Sequence, residues 1–344
     1  MRPSVLIAGD PWIGSTVFSV MTGFQQLGWD VQDVNSQYFV KLKGSLIPKL
    51  LHKITRKIDI QDYNKEIIEK VKVLMPTAFL TVKGSYIYAE TLEEIRNMGV
   101  VTVNYYPDVH FSYENIYFSS FSQYDLFYTT KTFQLEVLKE KLGDNKVFYI
   151  PHGYSDIVHR PPNMHGRINY QHDLIYIGSY SQYKKNWLHM IVNNFPSIKL
   201  AIYGGGWKNC VNDSKLAEYI VGQELWGFDY CKKIFMSKIN FAIHSGVVDK
   251  SGWEDLVSTR TFEIPACKGF MLHINNQEVR EFYEPDIEIG LFSNANDLCE
   301  KIEYYLSNEL ERLEVIENAF NRCVPAYGYN KRTEEIAKGI LNVA

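Results

Sequence analysis

Short apolar runs alternate with longer stretches of helical periodicity along most of the chain, and they do so in two separate series. In the first series the runs are Val5–Ala8, Val31–Asn35, Ala78–Val82, Val100–Tyr105, Leu126–Thr129 and Val147–Ile150. Helical stretches such as Asn64–Leu74 and Thr91–Met98 lie between them. Strand and helix in alternation predict βαβ units and a parallel sheet.

The second series follows a Pro- and Gly-rich segment, Pro151-His152-Gly153-Tyr154 through Arg160-Pro161-Pro162, which reads as a hinge. Its strands are Leu174–Ile177, Leu200–Tyr203, Ile239–Ile243, Phe270–His273 and, with a weaker pattern, Ile287–Leu291. Helices are expected over Asp297–Leu306, Glu309–Arg322 and Lys331–Leu341. The expected fold class is therefore α/β, with two tandem Rossmann-like, doubly wound domains. Expected limits are 1–155 and 156–328, with a C-terminal helix over 329–344 that crosses back to the first domain. Ligands of such sheets bind at the carboxyl ends of the strands. Two facing sheets predict one cleft as the active site.

The 344 residues suit two domains of ordinary size. A net charge of −4 argues against nucleic acid as a partner, since that needs a basic face. No apolar run approaches the roughly 18 residues that span a bilayer, and the N-terminal run Val5–Ala8 is too short for a signal peptide. The cysteines Cys210, Cys231, Cys267, Cys299 and Cys323 are scattered, without a CxxC pair. That pattern predicts free buried thiols in a reducing, cytoplasmic compartment and no structural zinc.

Four segments carry candidate chemistry. Gly9-Asp10-Pro11-Trp12-Ile13-Gly14-Ser15-Thr16 follows the first strand, and Asp10 and Gly14 are expected on a substrate loop there. It is neither GxGxxG nor a P-loop; an ordinary strand–helix turn is the alternative. Ile177-Gly178-Ser179-Tyr180, with Lys184-Lys185 beyond it, can offer backbone donors and a positive charge to a phosphate. The glycine run of Tyr203-Gly204-Gly205-Gly206-Trp207 suits close approach to a ligand or to another backbone. Finally, Ser258 and Thr259 read as N-caps of a short helix from Arg260 to Cys267. Arg260 there is a bidentate anion donor, and Glu263, one turn on, can accept both hydroxyls of a ribose. An anion site and a diol acceptor one turn apart are what a nucleoside diphosphate requires.

Arg260-Thr-Phe-Glu-x-Pro-Ala-Cys-x-Gly269 resembles the signature of the CgeB-like, spore-maturation type glycosyltransferases, relatives of the large retaining families with two Rossmann-like domains, the GT-B fold. Phe79–Gly84, Asn104–Asp108, Ile150–Gly153 and Tyr329–Arg332 fit in the same order. The resemblance implies an acceptor-binding first domain and a second domain that binds the nucleotide-sugar donor. It implies that Glu263 binds the donor ribose, and that Arg260, Ser258 and Thr259 form one side of the diphosphate site. Gly178, Ser179 and Lys184 form the other side, with Gly205 in the neighbouring glycine run. Trp226-Gly227-Phe228 resembles the segment that frames the base. Where the family carries Glu-x7-Glu, the earlier acid is expected near Leu256, which is not acidic; Glu254 and Asp255 stand beside it.

No Asp-x-Asp occurs, so no metal ion is expected, and no cofactor beyond the sugar donor. Asp108, as base or acceptor-orienting group, and His110 and His244 are the catalytic candidates, since each follows a strand. The donor is expected to be a nucleoside diphosphate sugar, by frequency a UDP-sugar, and the acceptor a glycan, lipid-linked or protein substrate. Lys41 to Lys57 is basic and amphipathic. It reads either as a helix covering the sheet or as a peripheral contact with an anionic membrane at its inner face. A nucleotide-sugar hydrolase or epimerase and an inactive binder are the alternatives. An NAD-dependent dehydrogenase is disfavoured, because no GxGxxG with a later acid is present.

Overall fold

The structure is a computed structural model and describes residues 2–40, 49–163, 169–207, 214–222, 224–244, 246–247 and 251–344. The chain forms two compact units, Met1–Pro151 with Tyr329–Ala344, and His152–Gly328.

The first unit runs β1 (Ser4–Gly9), α1 (Thr16–Gln26), β2 (Asp30–Asn35), α2 (Lys49–Leu74), β3 (Ala78–Val82), α3 (Ala89–Asn97), β4 (Val101–Tyr106), β5 (Leu126–Thr129), α4 (Leu135–Leu142) and β6 (Val147–Tyr149). Its six strands are all parallel, in the order β2-β1-β3-β4-β5-β6. Every residue of β3, β4 and β5 is buried, whereas the edge strand β2 alternates. Helices on both faces of a parallel sheet demand this pattern. Each fully buried side chain, such as Phe79, Leu80 or Val103, contributes about 1.5–3 kcal/mol of hydrophobic free energy. Ser15 caps α1 by accepting the Phe18 N–H at 3.0 Å.

The second unit runs β7 (His172–Ile177), α5 (Gln182–Asn194), β8 (Leu200–Tyr203), α6 (Ser214–Ala217), α7 (Gly227–Phe235), β9 (Ser237–Ala242), α8 (Arg260–Ala266), β10 (Met271–Ile274), α9 (Gln277–Phe282), β11 (Gly290–Phe292), α10 (Ala295–Ser307) and α11 (Glu309–Cys323). Its strands pair in parallel in the order β11-β10-β9-β7-β8. One face packs Tyr176, Ile202, Trp207, Phe241 and Leu272, and the other packs Phe262, Ala266, Cys267 and Met271. The last helix, α12 (Tyr329–Val343), belongs to the first unit, where the Tyr329 ring meets Tyr105 edge-on at 6.4 Å.

Two expectations change. The strand expected over Ile287–Leu291 begins only at Gly290, because the Asp286 N–H bonds Ile289 O at 2.7 Å and Asp286 takes φ 60°, which turns the chain first. The helix expected from Asn64 starts at Lys49. Of the basic segment Lys41–Lys57, residues 41–48 lie outside the described residues. No described helix is long and apolar enough to cross a membrane. Cys231, Cys267 and Cys323 are buried and Cys299 is partly buried, and none of these four is in a disulfide.

Candidate functional site

In the second unit the chain passes from β7 out to β8, then returns to set β9 on the other side of β7. Connections that depart in opposite directions leave a crevice at the carboxyl ends of the two strands. Arg260 spans that crevice. Its Nη1 donates to Ile177 O at 3.4 Å and its Nη2 to Ile243 O at 3.1 Å, so one guanidinium bridges the ends of both strands. Burial opposes its charge, but Tyr176, Tyr230, Asp255 and Glu263 outweigh burial and hold the pKa above the usual arginine value. The guanidinium lies 5.8 Å over the Tyr176 ring. Arg260 Nε, Ser258 Oγ and the Tyr176 hydroxyl are buried without a hydrogen-bond partner among the described residues. Such an atom costs about 1–3 kcal/mol. Three around one arginine mark a place where an added polar group gains hydrogen bonds.

Lys184, on the first turn of α5, is buried beside the same charge. Its Nζ donates to Ser179 O at 3.0 Å. Burial first, and then Arg260, bring its pKa down to about 7, against the opposing pull of Asp255. Two cations this close, only partly compensated by Asp255, favour an anion.

The glycine run has a structural explanation. Gly204, at φ +130°, packs on Gly178, where an added Cβ would stand 2.6 Å from the Gly178 carbonyl carbon. The two strand-end loops are stitched by Gly178 N–H to Tyr203 O, Tyr180 N–H to Gly205 O, both at 2.9 Å, and Trp207 Nε1 to Gly178 O at 2.8 Å. Gly205 faces the end of the Glu224 side chain. Ser179, between the stitches, is exposed.

The capping expected of Ser258 and Thr259 is not observed. Thr259 is already helical, at φ −54° and ψ −38°, and makes no side-chain cap. The hydroxyl that serves the turn is that of Thr261, which accepts the Ser258 N–H at 3.2 Å. The chain tightens one residue early, with the Thr261 N–H bonded to Ser258 O at 3.1 Å, so the Thr259 hydroxyl cannot reach the free N–H groups.

Glu263 is only 8% exposed and is held from two sides. The Tyr230 hydroxyl, from α7, donates to its Oε2 at 2.8 Å. His159 accepts the Ser155 N–H on Nδ1 at 3.0 Å, so its proton sits on Nε2, 3.7 Å from Glu263 Oε1. Burial lowers the His159 pKa and keeps the ring neutral, against the pull of Glu263. α7 also carries Phe228 and follows Trp226, which are 58% and 50% exposed; Arg160 lies over the Phe228 ring at 5.2 Å. Exposed aromatic faces of this size can stack a planar ring.

His244, just past β9, forms a buried hydrogen bond with His273, Nε2 to Nε2 at 3.0 Å. Its Nδ1 lies 3.9 Å from Asp255 Oδ2. By the count of Glu-x7-Glu back from Glu263, the earlier acidic position falls at Asp255 and not at Leu256. Seven residues, Leu256–Phe262, separate Asp255 from Glu263, and Asp255 is the carboxylate whose charge acts on Lys184, Arg260 and His273.

In the first unit the reversal falls between β1 and β3. A cavity of about 190 Å³ lies there, lined among others by Asp10, Trp12, Ser36, Tyr63, Lys83 and Pro107. Asp10 Oδ1 accepts a hydrogen bond from Ser36 Oγ. Gly14 closes the loop at φ 95°. Asp108 is not a lone base, because Lys83 Nζ meets its Oδ2 at 2.6 Å while lying 3.8 Å over the Tyr113 ring. His110 bonds Ser112 Oγ through Nδ1 at 2.9 Å and stacks on Tyr113 at 4.2 Å.

Sequence reasoning missed Tyr230, His159, His273 and Lys83. Lys83 stands next to a glycine in a segment the family resemblance already covers. The others give no local signal, since each meets its partner across 12 to 104 positions of chain.

The family model described as "Glycosyl transferase-like" matches residues 182–338. No curated protein sequence matches the chain. Sucrose-phosphate synthase from Thermosynechococcus elongatus is similar in structure, with a TM-score of 0.68, 11% identity and 99% of each chain covered. The chain has the GT-B fold. Anabaena HepE, solved with UDP and glucose, shares the GT-B fold at a TM-score of 0.61 and 11% identity, covering 99% of this chain and 100% of that one. So does a putative UDP-N-acetylglucosamine 2-epimerase from Listeria monocytogenes, at a TM-score of 0.58 and 12% identity, over 99% of this chain and 96% of that one.

Proposed function

We propose that the chain is a glycosyltransferase that moves a sugar from a nucleoside diphosphate donor, with UDP as the expected nucleotide, to a glycan, lipid-linked or protein acceptor. The observation that carries this is the cluster of Lys184, Arg260 and Glu263 at the carboxyl ends of β7 and β9. The matching family model and the UDP bound to Anabaena HepE support it.

The roles follow from the chemistry. Lys184 and Arg260 meet the charge of the diphosphate and stabilise it as it leaves. The Arg260 fork is already fixed by two carbonyls, so its remaining donors are pre-organised for phosphate oxygens. Gly178, Ser179 and Ser258 add small groups and a hydroxyl beside it. Glu263 takes ribose hydroxyls, mainly through Oε1, since Tyr230 engages Oε2. Trp226 and Phe228 stack the base. Asp255 and His244 take the transferred sugar. Asp10, Gly14, Asp108 and His110 serve the acceptor, with Asp108 an orienting group because Lys83 pairs with it. Transfer with retention requires no strong enzymic base, which suits that role. The closer kinship proposed is with the CgeB-like members, a cytoplasmic setting is the one expected, and peripheral membrane contact through Lys41–Lys57 is the subordinate part of the proposal.

Metal independence is part of the same reading, with lysine and arginine supplying the positive charge that meets the diphosphate. Calorimetric titration with UDP, with and without EDTA, tests both points. Equal affinity with and without EDTA is expected; no binding of any nucleoside diphosphate sinks the reading. The similarity to the Listeria epimerase keeps a second reading, a nucleotide-sugar epimerase or hydrolase. Incubation with a UDP-sugar alone separates the two, since only the second consumes or isomerises it rapidly without acceptor.

A further inference from the structure

His273 sits on β10 with no exposed surface, and nothing in the proposed reaction yet uses it. Its neighbours fix where its protons are. Nδ1 lies 2.6 Å from Ile274 O, and a carbonyl can only accept, so Nδ1 carries a hydrogen. Burial first, and then Arg260, oppose a second proton and lower the pKa to about 4, against the pull of the Ile274 carbonyl and Asp255. The ring is therefore neutral and its Nε2 is a bare acceptor. Two groups reach that Nε2, His244 Nε2 at 3.0 Å and Thr261 Oγ1 at 3.2 Å. Thr261 Oγ1 already accepts the Ser258 N–H, which leaves its hydroxyl proton to donate to His273. His244 must likewise donate, so its own hydrogen lies on Nε2. The lone pair of a neutral His244 is then on Nδ1, the atom 3.9 Å from Asp255 Oδ2.

The geometry points to His273 as a positioning residue: it holds His244 as the Nε2–H tautomer and makes His244 Nδ1 a hydrogen-bond acceptor on the Asp255 side of the donor site, suited to a sugar hydroxyl and not to a phosphate oxygen. A lone pair beside a carboxylate repels anions and welcomes an O–H donor, so the diphosphate is kept to the Lys184–Arg260 side and the hydroxylated ring to this one. The tautomer itself does not depend on the transferase reading; the role in sugar recognition rests on it.

The test is nitrogen-15 NMR of histidine in the full chain, with His244 assigned through His244→Gln. The wild type is expected to show His244 protonated on Nε2. His273→Gln, whose amide oxygen can stand in for Nε2, should preserve that tautomer, and His273→Leu should lose it. A wild-type His244 protonated on Nδ1 overturns the proposal without any variant, as does a His273→Leu protein that keeps a pure Nε2–H signal. In turnover, His273→Leu should lower kcat/KM for a UDP-sugar about tenfold, while the Kd of UDP, which lacks the sugar, stays within about twofold. A parallel loss of UDP affinity would mark His273 as structural only. If no UDP-sugar turns over in the wild type, the transferase reading fails and the NMR result still decides the tautomer.

Discussion

The Tyr230 hydroxyl donates to Glu263 Oε2 at 2.8 Å, so α7, which presents Trp226 and Phe228, is tied to α8, which presents Arg260. The bond is buried. Tyr230→Phe leaves a carboxylate oxygen without its donor and should cost about 1–3 kcal/mol of stability by urea unfolding. Glu263→Gln keeps the shape and should weaken UDP binding at least about tenfold by calorimetry, since charge-assisted bonds to ribose are roughly twice as strong as neutral ones. Unchanged affinity in Glu263→Gln would remove Glu263 from the site.

Lys184 makes stability and binding depend on pH. Its folded pKa of about 7 lies below the ordinary lysine value of 10.5, so between these values the unfolded chain binds more protons. Its cost to the fold is therefore fully present below about pH 7 and is relieved as pH rises toward 10.5. Lys184→Met should raise Tm relative to wild type more at pH 6 than at pH 10. A diphosphate restores the charge, so UDP binding should take up a proton at pH 8, seen as a binding heat that depends on the buffer. No uptake there would mean that Lys184 does not face the phosphates.

Gly204 and Gly205 should respond differently to alanine. Gly204→Ala forces a Cβ against the Gly178 carbonyl at φ +130° and should lower stability by more than about 2 kcal/mol in urea. Gly205 takes an ordinary φ and faces only the tip of Glu224, so Gly205→Ala should change stability by less than about 1 kcal/mol. If Gly205→Ala folds normally but loses UDP, that glycine approaches the ligand after all.

Asp255 and Leu256 are neighbours that separate the two ways of counting from Glu263. Asp255→Asn should lower kcat/KM for the sugar donor at least about tenfold with little change in Kd for UDP. Leu256→Ala should leave both near wild type. The reverse pattern would take Asp255 out of the sugar site and place Leu256 in it.

The sequence by itself determined the two α/β series, because apolar runs, glycine stops and helical spacing are local properties that burial in parallel sheets leaves intact. It also determined Arg260 and Glu263, which stand within one turn of each other. Capping at Ser258 and Thr259 was legible only as a tendency, and a turn that closed one residue early passed the task to Thr261. Only the tertiary structure decided what those residues touch. The β7–β9 reversal set Ile177 O and Ile243 O within reach of one guanidinium. Packing of two loops explained Gly204, and burial of Lys184, His273 and Glu263 set their charges and partners. Residues such as His244 and His273 lie 29 positions apart, and no local pattern encodes a hydrogen bond that exists only once adjacent strands have brought both rings into the same dry layer.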